Sequence, residues 1–98
     1  MELIFEWDVN KAKANLRKHN VSFDEARTIF HDEALITFAD DFHSHDEDRF
    51  ISIGVSSMSR MLLVVHTEVD STAGKITIRI ISSRKATREE IKIYEQKK

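Results

Sequence analysis

Four strand-like segments follow one another between residues 34 and 83, separated by polar turns and loops. They cover residues 34–38, 50–55, 61–68 and 75–83. The segment at 50–55 alternates apolar with other side chains, as a half-buried strand does, whereas 61–68 is apolar on both faces and is typical of a central strand. Because consecutive strands joined by short turns usually pair as neighbours, the pattern predicts an antiparallel β-meander.

Two helices are predicted near the start of the chain from their capping residues. Asp8 can cap a helix over roughly residues 9–19, and Asn20 tolerates the left-handed conformation that ends helices. Ser22 with Glu25 three residues later forms a capping box, which predicts the start of a second helix.

A further capping box, Thr87 with Glu90, predicts that the last helix starts at Arg88. A short apolar segment over residues 3–7 predicts a first strand. The order is therefore β-α-α-β-β-β-β-α, with two N-terminal helices and one C-terminal helix. This order predicts an α+β fold in which the helices pack on one face of the antiparallel meander. A chain of 98 residues makes one domain, here residues 1–98.

Composition excludes several classes of protein. The chain has no cysteine, which excludes a disulfide framework, a cysteine metal site and a thiol nucleophile, and fits a reducing cytoplasm. No apolar run approaches the roughly 20 residues that span a membrane. We therefore expect a cytoplasmic protein that does not contact membranes.

Charge is distributed unevenly along the sequence. Residues 1–74 carry 7 Lys and Arg against 14 Asp and Glu, a net charge of −7. Residues 75–98 carry 8 against 3, a net charge of +5. Such polarity suggests a chain that meets anions at one end and a basic partner at the other. The alternative is that the charges are scattered over solvated faces.

Basic side chains gather just before the last predicted helix. Arg79, Arg84 and Lys85 precede the exposed N–H groups of its first turn, which favour anions. Arginine binds phosphate bidentately through its planar guanidinium. The sequence thus predicts a phosphate site here. The alternative for Arg79 is a strand-surface ion pair with Glu68 or with a residue of the acidic loop at 39–48.

A series of different short motifs is spread along nearly the whole chain. They are Phe5-Glu6-Trp7-Asp8, Asn15, Lys18-His19-Asn20-Val21-Ser22-Phe23, Glu25-Ala26, Phe30, His43-Ser44, Arg49-Phe50, Val64-Val65-His66-Thr67-Glu68, Arg79-Ile80-Ile81-Ser82, Arg84-Lys85-Ala86-Thr87, Glu89-Glu90 and Tyr94-Glu95. Together they resemble the BrnT family, the toxin half of a bacterial type II toxin–antitoxin pair.

The resemblance implies a RelE-like fold and a small ribonuclease that cleaves RNA and arrests translation. It also implies a cognate, BrnA-like antitoxin that silences the toxin in a hetero-oligomer. That complex is expected to repress its own operon by binding operator DNA through the antitoxin. A second hypothesis is a non-enzymatic binding module whose basic C-terminal region docks a partner protein.

RNA cleavage without a metal ion needs a base near the 2′-hydroxyl, cations around the phosphorane and an acid for the leaving 5′-oxygen. We expect no cofactor and no metal. The candidates for holding phosphate are arginines, and those for moving protons are histidines and a carboxylate. They are Arg79, Arg84 and Arg49 for phosphate, and His66, Glu68 and His19 for protons.

Each remaining candidate has a structural alternative. His66 can be a hydrogen-bonded core histidine, and Glu68 a surface ion-pair residue. His19 can be a cation favoured by the helix dipole. Arg49 can pair with Asp46 or Glu47. Since His66 and Glu68 lie two apart on a strand, they share a face, and if Arg79 lies there too, a proton-transfer group sits beside a cation.

Two further signals are interpreted as structural. The loop sequence His43-Ser44-His45-Asp46, with Asp40 and Asp41 nearby, resembles a metal-ligand cluster but is interpreted as a solvated acidic loop. Three aromatic residues that lie beside helical stripes are interpreted as core rather than as stacking platforms for bases. These are Trp7, Phe23 and Phe30.

Overall fold

Five strands and three α-helices occur in the part of the chain that the computed structural model describes, residues 2–42, 48–71 and 73–97. The strands are β1 (Glu2–Glu6), β2 (Ile36–Ala39), β3 (Arg49–Val55), β4 (Met61–Asp70) and β5 (Lys75–Lys85). The helices are α1 (Val9–His19), α2 (Phe23–Ala26) and α3 (Arg88–Lys97), with a short 3-10 helix, Arg27–His31, directly after α2. Within those ranges no helix is both long and apolar enough to cross a membrane.

The strands form one sheet in the order β1-β5-β4-β3-β2. Strands β2 to β5 pair antiparallel with their neighbours, so the predicted meander is confirmed. The prediction of a purely antiparallel sheet is wrong, because β1 lies parallel to β5 in the register Glu2 opposite Lys75 to Glu6 opposite Arg79. The sheet is therefore mixed. Local turns fix the direction of neighbouring strands, but no turn connects β1 to its distant partner.

Helices cover both faces of the sheet, so the prediction that they all pack on one face is wrong. Because side chains alternate along β4, its apolar residues feed two separate cores. Leu62 and Val64 lie fully buried beneath α1, α2 and the 3-10 helix, whereas Leu63 packs on the opposite side with Tyr94 of α3. A strand that is apolar on both faces thus serves as the shared centre of two layers.

The predicted caps set the helix starts. Asp8 and Ser22 each accept a hydrogen bond from the N–H three residues later, both at 3.0 Å. Thr87 and Glu90 form a reciprocal capping box, with N···O distances of 2.8 and 3.2 Å. Caps of this kind contribute about 1 kcal/mol each. They place the starts of α1 and α3 at the predicted residues.

The aromatic residues interpreted as core are confirmed as core. Phe23 is 2% exposed, and Trp7 and Phe30 pack against the same cluster. The Trp7 and Phe23 rings meet edge to face at a centroid distance of 5.9 Å. These three rings therefore stabilise the layer under α1 and α2.

Candidate functional site

On the sheet face that carries α3, residues of neighbouring strands lie opposite one another in three transverse rows. The covered row, beneath α3, is Ile36, Ile53, Leu63 and Arg84. The floor row is Phe38, Ile51, Val65 and Ser82. The charged row is Arg49, Thr67, Arg79 and Glu6. Successive rows lie roughly 7 Å apart on β3 and β4, where their residues are two apart and share a face. On β5 the irregularity opposite Val65 and His66 makes Ser82 and Arg79 three apart.

A groove of about 420 Å³ lies over the floor row, beside α3. Its apolar lining comes from the sheet and from one residue of α3, and its polar lining from several elements. The apolar residues are Phe38, Ile51, Leu63, Val65 and Ile93, and the polar ones are His19, Asp40, Ser82, Ser83, Arg84 and Glu90. Phe38 and Ile93 are 43% and 42% exposed, so α3 leaves much of the apolar floor open to solvent.

Arg84 lies at the groove beside the start of α3, as the sequence predicts. Its guanidinium donates two hydrogen bonds to the Glu90 carboxylate, at 2.8 and 2.9 Å. The same carboxylate accepts from the N–H of Thr87, so it caps α3 and holds Arg84 together. The hydrogen bonds between them lower the pKa of Glu90 and raise that of Arg84. A cation is thus fixed in place at the edge of the floor.

Arg79 lies in the charged row and pairs with Glu6 of β1, with an N···O distance of 2.9 Å. The alternative prediction that Arg79 pairs with Glu68 is therefore wrong. Both side chains of the pair are about half exposed, at 42% and 52%. Exposed ion pairs contribute about 0–1 kcal/mol, so a phosphate can replace the carboxylate at little cost.

Arg49 lies in the same row as Arg79, two strands away. It is opposite Thr67, which is itself opposite Arg79. Two strand spacings place the two arginine backbones roughly 10 Å apart. The predicted partners Asp46 and Glu47 lie outside the described residues.

His66 and Glu68 share a face of β4, as expected, but it is the face opposite the groove. In the ladder between β4 and β5, His66 is opposite Ile80 and Glu68 is opposite Ile78, while Arg79 is opposite Thr67. The condition that Arg79 shares the face of His66 and Glu68 is therefore not met, and a proton-transfer pair beside Arg79 is ruled out. The alternation of side chains along β5 separates them.

His66 is a hydrogen-bonded core histidine. It is fully buried, and its Nε2 lies 2.7 Å from the hydroxyl of Ser52. Its Nδ1 lies 3.8 Å from a carboxylate oxygen of Glu68 and has no hydrogen-bond partner among the described residues. The rings of Phe30 and Phe50 flank it. Burial lowers the pKa of His66 to about 4, so the imidazole is neutral near pH 7.

His19 is brought to the groove. It is the last residue of α1, is partly buried, and lines the groove together with Ser82 and Arg84. Both His19 and Ser82 also line an adjoining concavity of about 220 Å³, which Lys11 and Lys18 of α1 border. The two concavities therefore meet at His19 and Ser82, with lysines of α1 on one side and Arg84 on the other.

Asn15 fixes this end of α1 to the sheet, a role that the sequence analysis did not assign. Its amide donates to the carbonyls of Val21 and Ser83, at 2.9 and 2.8 Å, and accepts from the N–H of Ser83 at 3.1 Å. Asn15 is 7% exposed. An amide on the inward stripe of a helix is the signal that could have identified it, since a buried polar group needs partners.

Phe38, the aromatic side chain of the groove floor, was not predicted from the sequence. An edge strand with period-two alternation gives no sign of which face stays open, because that depends on where α3 ends.

The metal-ligand cluster considered at His43, His45 and Asp46 lies outside the described residues. In the ranges 2–42, 48–71 and 73–97, no group of three or more His, Asp or Glu side chains is arranged to hold a metal ion.

Comparisons with known proteins relate this fold to one family. The model of a family described as "Ribonuclease toxin, BrnT, of type II toxin-antitoxin system" matches residues 7–90. The 1.1 Å crystal structure of the Brucella abortus ribonuclease toxin BrnT is similar to this chain, with a TM-score of 0.61. It is 21% identical, and the match covers 90% of this chain and 100% of that one. At this identity the likeness shows the fold. No curated protein matches the sequence.

Proposed function

Since the chain belongs to the BrnT family of ribonuclease toxins of type II toxin–antitoxin systems, we propose that it is an endoribonuclease that cleaves RNA without a metal ion. Cleavage of RNA would inhibit translation. The observation that carries the proposal is the groove, where an apolar floor lies between Arg84 on one side and the row with Arg49 and Arg79 on the other. Phosphates can bind the arginines while the chain of the RNA crosses the floor.

The arginines would do the electrostatic part of the reaction. Attack of the 2′-hydroxyl on its neighbouring phosphate builds negative charge on a phosphorane, and a guanidinium binds such oxygens bidentately. Arg84 is held in place by Glu90, and Arg79 by Glu6. Each arginine is therefore oriented before RNA binds, and RNA binding replaces carboxylate contacts with phosphate contacts.

His19 is the proposed proton-transfer residue. Histidine is the side chain best suited to exchanging protons near neutral pH, and His19 lines the groove together with Arg84. His66 and Glu68 lie on the opposite sheet face, and we assign them no contact with RNA. Their proposed role is to shape the layer behind the groove.

We propose that a cognate, BrnA-like antitoxin neutralises the toxin, in a hetero-oligomer that binds operator DNA through the antitoxin. A non-enzymatic binding module is the second candidate, because Arg84 at the groove and Arg79 in the charged row are already paired with carboxylates. An acidic protein segment could replace those carboxylates as well as a phosphate can. Growth arrest on expression, relieved by the neighbouring small gene, supports the toxin over the module.

Cleavage of a labelled RNA by the purified protein in EDTA tests the proposal. We expect the wild-type protein to cleave, and Arg84→Ala and Arg79→Ala to cleave roughly 100-fold more slowly, as when one charge-stabilising donor is removed. Arg27→Ala is the matched control, because Arg27 also forms an exposed ion pair, with Asp24, on α2 and its continuation.

The controls separate two failures of the proposal. Loss of wild-type cleavage in EDTA would contradict the metal-free mechanism. Equal cleavage by Arg84→Ala, Arg79→Ala and Arg27→Ala would contradict the site.

A further inference from the structure

We propose that the groove binds an unstacked nucleobase of single-stranded RNA, with Phe38 as the aromatic surface on which the base stacks. The inference rests on the proposed function, which supplies RNA as the ligand. It adds a base-binding subsite to the phosphate contacts, and it assigns the open apolar floor to a nucleobase.

The first support is the exposure of Phe38. Its ring lines the groove and is 43% exposed, although it lies on a strand whose neighbours on this face are core residues. Most of the other aromatic side chains are at least partly buried. Phe42 is the other exposed one, at 89%, and it does not line the groove.

The second support is the order of charged and apolar side chains across the groove. Arg84 lies in the covered row on one side of the floor, and Arg49 and Arg79 lie in the charged row on the other. The floor row between them is apolar except for Ser82, and the buried Asp40, beside Arg49, also lines the groove. A ligand that fits has an apolar, flat part with anionic groups on both sides.

Single-stranded RNA has this alternation of planar base and phosphate, and proteins that read it stack splayed bases on aromatic side chains. An acidic peptide would match the arginines, but it does not need to carry a planar group. The combination of ring and flanking arginines therefore favours a nucleotide.

The hydroxyl of Ser82 completes the subsite. Ser82 is the polar end of the floor row, it is partly buried, and it also borders the concavity shared with His19. A base that stacks over the floor thus lies in the same groove as the proposed proton-transfer residue and the phosphate-binding Arg84. Base binding would position the scissile phosphate as well as add affinity.

Binding of uncleavable 2′-O-methyl oligonucleotides tests the subsite. One oligonucleotide carries a fluorescent purine analogue whose emission is quenched by stacking, and a second is abasic at the same position. We expect quenching with the wild-type protein and with Phe38→Tyr, and affinity roughly 10-fold to 100-fold weaker with Phe38→Leu. Phe42→Leu, which removes an exposed ring outside the groove, should bind as the wild-type protein does.

The abasic oligonucleotide identifies the contact. It should bind the wild-type protein and Phe38→Leu equally, because the ring then has no base to contact. Equal affinity of the wild-type protein for the abasic and the base-containing oligonucleotide overturns the proposal. So does a Phe38→Leu variant that folds, keeps oligonucleotide affinity and loses only antitoxin binding, which would make the groove a protein-docking site.

The cleavage assay separates this inference from the function on which it rests. If RNA cleavage depends on Arg84 but not on Phe38, and binding does not depend on the base, the base-binding subsite is contradicted and the ribonuclease function is kept. Absence of both cleavage and oligonucleotide binding removes both proposals. Thermal melting of each variant confirms that it is folded, and Phe38→Tyr keeps the ring if the leucine variant melts early.

Discussion

At the scale of single residues, the chain places its titratable groups in two very different settings. Arg79 and Arg84 are partly exposed, and each is oriented by a carboxylate. His66 is fully buried against Ser52 and two aromatic rings. The exposed arginines can exchange partners with a ligand, whereas His66 can respond only to changes that open the core.

Burial of His66 predicts that the protein loses stability as the solution becomes acidic. The folded-state pKa is lowered from 6.5 to about 4, so between these values the unfolded chain binds a proton that the folded chain does not. Stability therefore falls as pH falls through this window, by about 3 kcal/mol from this residue alone.

Urea denaturation across that pH window measures the effect, with His66→Gln as the matched variant. Glutamine keeps a donor and acceptor near Ser52 but does not titrate. We expect a smaller dependence of stability on pH in the variant. Parallel curves for the two proteins would show that folding does not change the pKa of His66.

At the scale of helices and strands, the site is assembled by contacts between α1, β5 and α3. Asn15 joins the end of α1 to Ser83 of β5, and Glu90 joins Arg84 of β5 to the first turn of α3. His19 follows Asn15 by one helical turn. Its position over the groove thus depends on how firmly the end of α1 is held.

Asn15→Leu tests that dependence. It leaves two buried carbonyls and one N–H without their partner, and an unsatisfied buried polar group costs about 1–3 kcal/mol. We expect a loss of about 3 kcal/mol in urea denaturation, and RNA cleavage by the folded fraction reduced at least tenfold. Lys13→Leu, which also introduces leucine but on the exposed side of α1, should change stability and cleavage little. Equal loss of cleavage in the two variants would show that Asn15 does not position His19.

Capping signals made the helix starts predictable, because a cap involves residues only three apart. Asp8, Ser22 and Thr87 all cap as the sequence predicts. The two boxes nonetheless differ, since Glu90 returns a bond to its box whereas the buried carboxylate of Glu25 bonds to Arg60 and Ser56. That choice depends on strands distant in sequence.

Contacts between distant segments were not predictable in the same way. Glu6 pairs with Arg79 across 73 residues, and no local pattern specifies that β1 joins the outer edge of β5. The shared face of His66 and Glu68 followed from the strand period. Which face carries Arg79 and Arg84 could not be predicted in this way, because it depends on the register between β4 and β5 and on the irregularity after Val65.

At the scale of the whole molecule, one sheet separates two layers with different tasks. The face under α1 and α2 is closed and holds the larger core. The face under α3 is closed over the covered row and open over the floor row, where Phe38 remains exposed. A chain with a net charge of −2 thus has three arginines, Arg49, Arg79 and Arg84, in the two rows that flank this floor.

That concentration of cations predicts a modest salt dependence of RNA binding. For single strands the slope of log K against log salt is about −0.7 per phosphate neutralised, so three arginine contacts give about −2. Arg84→Ala should reduce the slope by about 0.7, and Arg27→Ala should leave it unchanged. A salt titration with an uncleavable oligonucleotide measures both. Identical slopes in all three proteins would place the phosphates elsewhere.

The parallel pairing of β1 with β5 also sets an order of events during synthesis. Glu2–Glu6 leaves the ribosome before its partner residues, 75–79, are made. Contacts between such distant segments close late in folding. The ion pair of Glu6 with Arg79 therefore forms late, and a nascent chain would acquire its complete charged row only after Arg79 has left the ribosome.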